Sequence, residues 1–169
     1  MAQKELFENL YAPMFRVCLR YINHVAEMED TVMLGFMKVF QNIEKFRFEG
    51  EHSFFVWIRQ IMVNESLMLL RKRKTNFMLS LDETFHETPA DNEIICNMNT
   101  EELNTLIMEL PTGYRTVFNL YVVEGYDHKE IAKMLNISEN TSRTQLSKAR
   151  NKLQGQIKQK EVLYEKHRR

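Results

Sequence analysis

Cysteine is scarce in this sequence. Its 169 residues include only Cys18 and Cys96, with no CxxC pair and no cysteine–histidine cluster at the spacing of metal ligands. The five histidines are scattered along the chain. We therefore expect no metal site and a protein of the reducing cytoplasm.

Long apolar runs and catalytic signatures are also missing. The N-terminus, MAQKELFENLY, lacks the apolar core and cleavage site of a secretion signal, and every uncharged apolar stretch is too short to cross a membrane. There is no GxSxG, P-loop, HExxH or glycine-rich nucleotide turn. His128 has no catalytic partner in the sequence and fits an exposed polar residue. We predict a cytoplasmic protein without membrane insertion that is not an enzyme and uses no cofactor.

Neither sign of charge is in excess, with 23 basic and 23 acidic residues. This balance argues against a protein that coats nucleic acid along its whole surface. The charges are segregated, however. Eight carboxylates and no Lys or Arg lie from Asp82 to Glu109, whereas nine basic and two acidic residues lie from Arg143 to Arg169. The C-terminal end is thus a basic segment of net charge +7.

Apolar residues recur at helical spacing in three N-terminal stretches. Pro13 lies inside the first and predicts a kink or a restart of that helix. Ser53 is a candidate N-cap for the third. We predict three packed helices over residues 5–74. The stripes are Leu6, Leu10, Met14, Cys18 and Ile22; Val32, Phe36, Val39, Phe40 and Ile43; and Phe54, Ile58, Ile61, Glu65 and Met68.

The periodicity fades after Thr75, where acidic residues and Pro89 appear. This composition predicts a flexible linker between two small helical domains of the all-α class. The predicted boundaries are 1–74 for the N-terminal domain, 75–99 for the linker, 100–157 for the C-terminal domain and 158–169 for a basic tail.

Helical spacing resumes at Thr100, and Pro111 opens a second segment that ends at Gly125. Next, Asp127 and Glu130 stand three apart, as in a capping box.

A short turn at Asn136 and Ile137 follows, and Ser138 is the candidate N-cap of another helix. A helix, a tight turn and a second helix predict a helix-turn-helix motif, whose second helix enters a DNA major groove.

The second helix of this motif has two different faces at about 100° per residue. Its predicted packing face holds Ser142, Leu146, Ala149, Leu153 and Ile157, and its predicted outward face holds Asn140, Arg143, Thr144, Ser147, Lys148 and Asn151. Arg143 is the first candidate for a bidentate contact with guanine, and Lys148 and Arg150 suit phosphates. Solvent-facing helices that bind nothing carry similar residues, so the prediction depends on the agreement of caps, turn and charge.

Two stretches resemble extracytoplasmic-function sigma factors, which guide RNA polymerase to promoters. EIAKMLNISENTSRTQLSKARNKL and the preceding ELPTGYRTVFNLYVVEGYDHKEIA resemble the family's C-terminal domain. EDTVMLGFMKVFQNIEKF, followed by WIRQIMVNESLMLLRKRK, resembles its N-terminal domain. The resemblance implies a non-catalytic protein that binds core RNA polymerase and promoter DNA, both double-stranded and melted, with an anti-sigma or other regulatory partner.

The resemblance also implies residue roles. It implies upstream-element contacts by Ser138, Asn140, Thr141, Arg143, Thr144, Ser147, Lys148 and Arg150. It implies downstream-element and melting contacts by Arg47, His52, Trp57, Asn64, Arg71, Lys72, Arg73 and Lys74, with the loop 47–52 holding a flipped base. It implies polymerase docking by Glu29, Asp30 and Lys38.

Ordinary structural roles remain open for some of these residues. Phe36 and Phe40 lie in the docking stretch but fit the core, which their spacing favours. Trp57 fits a core anchor as well as a base-binding residue. The cations 71–74 equally complement the C-terminal dipole of a helix.

The chain departs from the family pattern in several places. Met33 and Leu34 replace a usual Gln-Glu pair, Ser142 replaces a common Val, and Gln145 replaces a frequent basic residue. The FRFEGEHSF loop is also longer than its usual counterpart. These departures suggest that the protein needs a second DNA-targeting partner for strong promoter recognition.

Two other classes of protein are compatible with parts of the sequence. A helix-turn-helix regulator without sigma activity would bind operators as a dimer and would not bind polymerase. A helical adaptor would use the eleven methionines as an adaptable protein-binding surface, but it leaves the basic helix face unexplained.

Overall fold

The computed structural model describes residues 2–73 and 100–167, and all regular elements in these two stretches are helical. The all-α class is therefore confirmed. The chain divides into two compact units between Lys74 and Thr75. The predicted linker, 75–99, lies outside the described residues, so its boundaries remain a prediction.

The first unit contains three long helices that pack against one another. They are α1 (Ala2–Leu19), α2 (Val25–Asn42), which continues into a 3-10 turn (Ile43–Lys45), and α3 (Glu51–Lys72). Helix α1 runs through Pro13 without the predicted restart. The core residues include Met14, Cys18, Ile22, Val32, Phe36, Val39, Ile58, Met62 and Leu67.

Helices α2 and α3 pack against each other at Gly35. A Cβ atom there would lie too close to the thioether end of the flexible Met62 side chain, so a larger residue would require Met62 to shift. The close crossing holds the C-terminal half of α2 beside the central turns of α3. It therefore fixes side chains from both helices around one groove.

Helix α3 begins at Glu51, so the predicted N-cap at Ser53 is wrong. The N-cap is Gly50, whose φ of 107° is accessible to glycine without a Cβ clash. The Ser53 hydroxyl donates to the Gly50 carbonyl at 2.7 Å and accepts from the Glu49 N–H at 3.2 Å. Ser53 thus secures the preceding loop from inside the first helical turn.

The second unit is built around one long helix. Its elements are α4 (Thr100–Met108), α5 (Thr112–Phe118), a π-helical turn (Asn119–Val123), α6 (His128–Leu135) and α7 (Glu139–His167). Helices α4, α5 and α6 all contact α7. One hydrophobic cluster comprises Leu106, Ile107, Leu110, Tyr114, Ala149, Leu153 and Ile157.

A buried cation closes the junction between α4 and α5. Arg115 donates through Nη1 to the carbonyl oxygens of Met108, at 2.8 Å, and Leu110, at 3.3 Å. Met108 is the last residue of α4, whose carbonyl has no partner within the helix, and Leu110 lies in the turn that follows. Burial lowers the pKa of Arg115.

The predicted helix-turn-helix is present. Asp127 and Glu130 form the reciprocal capping box of α6, and Asn136 adopts the left-handed conformation in the turn. The Ser138 hydroxyl accepts from the Thr141 N–H at 2.9 Å and caps α7. Three sequence predictions are confirmed here because each depended on a local hydrogen bond.

Helix α7 continues to His167, well past the end predicted for the C-terminal domain at residue 157. In the described parts of the chain, no helix combines the length and apolar character that crossing a membrane requires.

Candidate nucleic-acid interfaces

The first unit has a groove of about 790 Å³ formed by α2, α3 and the loop between them. It brings together Arg47, Trp57 and Asn64, which were predicted to contact melted DNA, and Lys38, which was predicted to dock polymerase. His52 is exposed and is not among the lining residues, and Lys74 lies outside the described residues. The full lining is Lys38, Asn42, Lys45, Phe46, Arg47, Glu49, Ser53, Trp57, Ile61, Asn64, Glu65 and Met68.

One end of the groove is aromatic. The rings of Phe46 and Trp57 stack with centroids 4.7 Å apart, and Phe54 lies 5.4 Å and 5.8 Å from them. Trp57 is half-buried and also lines the groove. It is therefore part of an aromatic cluster and available to an unstacked base, whose π-face stacks on such side chains.

The other end of the groove is ionic. Lys38 Nζ on α2 donates to Glu65 Oε1 on α3 across 2.5 Å. The Glu65 side chain is only 7% exposed, whereas that of Lys38 is 43% exposed. A partly open ammonium group is thus held in place by a buried carboxylate, and Asn64 stands beside it on α3.

Glu65 is the lining residue whose role the sequence analysis missed. It was placed in an apolar stripe, and its burial is confirmed, but a buried carboxylate requires a partner. The available signal was a single acidic residue interrupting the stripe, with a Lys on the preceding helix. The pairing itself connects residues 27 positions apart and needs the tertiary structure.

The charged residues that line the groove carry a small net positive charge. Lys45 and Arg47 line the groove and are exposed. With Lys38 they make three cationic lining residues, against the two carboxylates of Glu49 and Glu65. Such a surface attracts a phosphate backbone.

A second cationic site lies at the C-terminus of α3. Arg71, Lys72 and Arg73 are all exposed there. Arg73 forms an ion pair with Glu27, and Arg71 Nε donates to the Leu67 carbonyl at 3.3 Å. These positions fit both phosphate binding and stabilisation of the helix C-terminus.

Helix α2 exposes an apolar surface. Met33, Leu34 and Met37 are 50%, 51% and 54% exposed, and Glu29 and Asp30 are exposed one turn earlier. Phe36 is buried on the opposite side, which confirms its interpretation as core. Neighbouring apolar side chains left in water are typical of a protein interface.

The outward face of α7 is partly as predicted. Asn140 and Arg143 are exposed, and Arg143 forms an ion pair with Glu139 one turn earlier. The half-buried residues are Thr141, Thr144, Ser147, Arg150 and Asn151. The Arg150 guanidinium lies 5.9 Å from the centroid of the Tyr121 ring.

The outward placement of Lys148 is wrong. This residue is 6% exposed, and its ammonium group lies 5.7 Å from the centre of the Tyr114 ring. Helix α5 covers this side of α7, so the buried sector is wider than the helical projection suggested. A cation on an aromatic face is stabilised electrostatically. A DNA-binding role for Lys148 remains an untested prediction, and its placement does not favour one.

His128 connects the two helices of the motif and is not the exposed residue that was predicted. Its ring stacks on Tyr121 with centroids 4.5 Å apart, and Nδ1 lies 2.9 Å from the hydroxyl of the fully buried Ser142. Burial and the nearby charge of Arg143 lower the pKa of His128. Ser142 therefore provides a polar link inside the domain.

Both units match described protein families. The family model described as Sigma-70 region 2 matches residues 6–75, and that described as Sigma-70, region 4 matches residues 100–153. The two matches cover the unit with the groove and the unit with the helix-turn-helix, in this order.

Curated proteins resemble the chain over most of its length. It is 26% identical over 156 residues to the ECF RNA polymerase sigma factor SigW of Bacillus subtilis (strain 168), covering 85% of this chain and 82% of that protein. It is also 26% identical to the ECF RNA polymerase sigma-E factor of Haemophilus influenzae, covering 82% and 78%.

A solved structure shares the fold. The sigma factor RpoE of Bartonella quintana, determined in complex with the anti-sigma factor NepR, aligns with a TM-score of 0.53. The alignment covers 92% of this chain and 96% of that one, at 18% identity.

Proposed function

The chain belongs to the sigma-70 family, within its extracytoplasmic-function group, and we propose that it binds core RNA polymerase and directs it to promoter DNA, which it then helps to open. The observation that carries this proposal is the match of both family regions, each to a unit with a surface suited to nucleic acid. A helix-turn-helix regulator without sigma activity explains only the second unit and is not favoured.

The second unit recognises the upstream promoter element through α7. Arg143 and Asn140 are exposed near its N-terminus, where helices of this motif contact base edges. Arg143 is suited to a bidentate contact with guanine. Arg150, Ser147 and Thr144 lie farther along α7 and are proposed to contact phosphates or neighbouring bases.

The first unit holds melted DNA in its groove. The aromatic end offers stacking surfaces, and Lys45, Arg47 and Lys38 offer charge to the backbone. The exposed cations of α3, Arg71 to Arg73, extend this positive surface.

Helix α2 docks on core polymerase. Its exposed Met33, Leu34 and Met37 would become buried in this interface, with Glu29 and Asp30 at its edge. Lys38 contributes to the groove instead, because Glu65 holds it there.

Catalysis belongs to the polymerase, and the protein works in the cytoplasm where polymerase acts. We extend the proposal to control by an anti-sigma or other regulatory partner. Support comes from the structural neighbour, which was solved with an anti-sigma factor.

The first experiment is gel filtration of the purified chain with bacterial core RNA polymerase at moderate salt, without DNA. We expect a stable stoichiometric complex. The complex is then incubated with a randomised double-stranded DNA pool, and the retained sequences are compared for wild type, Arg143→Ala and Lys148→Met.

Arg143→Ala should lose preference at one base pair, at a cost of about 1–3 kcal/mol. Lys148→Met should keep the sequence preference of the wild type, since Lys148 is buried. Absence of a polymerase complex, together with retained binding to symmetric paired sites, would instead identify a dimeric operator-binding regulator.

A further inference from the structure

The groove of the first unit has two chemically different ends that are too far apart for one base. Trp57 and Glu65 are eight residues apart on α3, which is about 12 Å along the helix axis at 1.5 Å per residue. Ile61 lies between them in the groove floor. A base stacked on Trp57 therefore leaves the ionic end available to a neighbouring nucleotide.

We propose that the groove binds two consecutive unstacked nucleotides, and that the Lys38–Glu65 pair reads the Watson–Crick edge of the second base and selects cytosine or adenine there. This inference rests on the proposed function, because it concerns single-stranded DNA produced by promoter opening. It adds a second base subsite and assigns Glu65 as its specificity-determining residue.

The geometry of the ion pair matches one edge of these two bases. On their Watson–Crick edges, cytosine and adenine each place an exocyclic amine beside a ring nitrogen that accepts a hydrogen bond, whereas guanine places its amine beside an N–H donor. Glu65 presents an acceptor and Lys38 a donor 2.5 Å apart. The amine therefore donates to the carboxylate while the ring nitrogen accepts from the ammonium group.

The ion pair leaves capacity for this contact. The ammonium group of Lys38 has three N–H donors, and one of them donates to Glu65. Two donors are therefore left for other acceptors. The Lys38 side chain is 43% exposed, and both residues line the groove. Thymine has no exocyclic amine and would place carbonyl oxygens against the carboxylate, so it is rejected.

The test uses the full chain bound to core polymerase and a pool of short single-stranded DNA with randomised bases. Bound sequences are compared for wild type, Glu65→Gln and Glu44→Gln. Glu44 is an exposed carboxylate in the same unit but outside the groove, so its substitution makes the same change in charge. We expect cytosine or adenine to exceed thymine by about tenfold at one position, and only Glu65→Gln to abolish this preference.

A second experiment changes the DNA instead of the protein, so its result does not depend on the folding of a variant. In the best-bound sequence, the amine of the selected base is dimethylated, which removes its donors. Wild-type affinity should fall by about tenfold. If the selected base is cytosine, methylation of its carbon 5, which leaves the amine intact, should retain affinity. If the selected base is adenine, the unmodified oligonucleotide is the control.

The outcomes separate the two proposals. If the Glu65→Gln complex binds DNA with the same base preference as wild type, the second subsite alone is overturned. Full affinity of wild type for the DNA with the dimethylated base has the same consequence. Failure of every variant to associate with polymerase overturns the proposed function and this inference with it.

Discussion

His128 Nδ1 and the Ser142 hydroxyl lie 2.9 Å apart, so the two helices of the helix-turn-helix are joined by a side-chain hydrogen bond. Ser142 is completely buried on the packing face of α7. The imidazole also stacks on Tyr121. A polar contact thus connects α6 and α7 within a largely apolar interface.

Removal of the Ser142 hydroxyl should destabilise the second unit. We expect Ser142→Ala to lower the free energy of unfolding by about 1 kcal/mol, because half-buried His128 loses its partner. Urea unfolding followed by circular dichroism measures the change, and hydrogen exchange assigns it to α6 and α7. Ser147→Ala, on the same helix but half-buried, should change stability by less than about 0.5 kcal/mol. Equal effects of the two variants would contradict a special role for Ser142.

The lowered pKa of His128 predicts a loss of stability in mild acid. The neutral imidazole is favoured in the folded protein, because burial and Arg143 disfavour the charged form. Stability is therefore unaffected above the ordinary pKa of 6.5 and falls as the pH drops below it towards the folded pKa.

His128→Asn should show a weaker loss over the same pH range, measured by urea unfolding at several pH values. The comparison is needed because other charged groups face this imidazole, namely Arg143, Arg150, Glu139 and Asp127. Identical pH profiles for wild type and variant would show that His128 does not determine the acid response.

The ion pair between Glu139 and Arg143 should weaken DNA binding. Glu139→Gln frees the guanidinium and removes a negative charge from the surface that faces phosphates. We expect tighter binding of the polymerase complex to all double-stranded sequences, with a steeper dependence on salt and unchanged preference at the Arg143 base pair. Binding measured over a salt series tests this, with Glu101→Gln as a control distant in sequence. Weaker binding would mean that Glu139 orients Arg143 for its contact.

The apolar face of α2 should contribute directly to polymerase binding. The double variant Met33→Ser and Leu34→Ser replaces two exposed apolar side chains with small polar ones. The fold should be unchanged, while affinity for core polymerase should fall by about tenfold or more, since burial of each apolar side chain contributes about 1.5–3 kcal/mol. Titration of labelled polymerase measures the affinity, and Val56→Glu, at an exposed apolar residue of α3, is the control. Undiminished affinity would place the docking surface elsewhere.

The sequence predicted most of the local structure correctly. The capping box of Asp127 and Glu130, the turn at Asn136 and the Ser138 cap all depend on neighbours within a few residues. Helical periodicity likewise predicted the all-α class, because a buried stripe repeats with the period of the helix. The N-cap of α3 was misplaced because Gly50, with a positive φ, occupies that position and the helix begins at Glu51, two residues before Ser53.

The sequence by itself therefore determined the helices, the helix-turn-helix and the resemblance to sigma factors, since these follow from short-range spacing and matched motifs. Only the tertiary structure decided which side chains meet across helices. It paired Lys38 with Glu65 in the groove, buried Lys148 against Tyr114, and joined His128 to Ser142. The physical reason is that burial and pairing depend on the neighbouring helix, whose position no periodicity within one helix specifies.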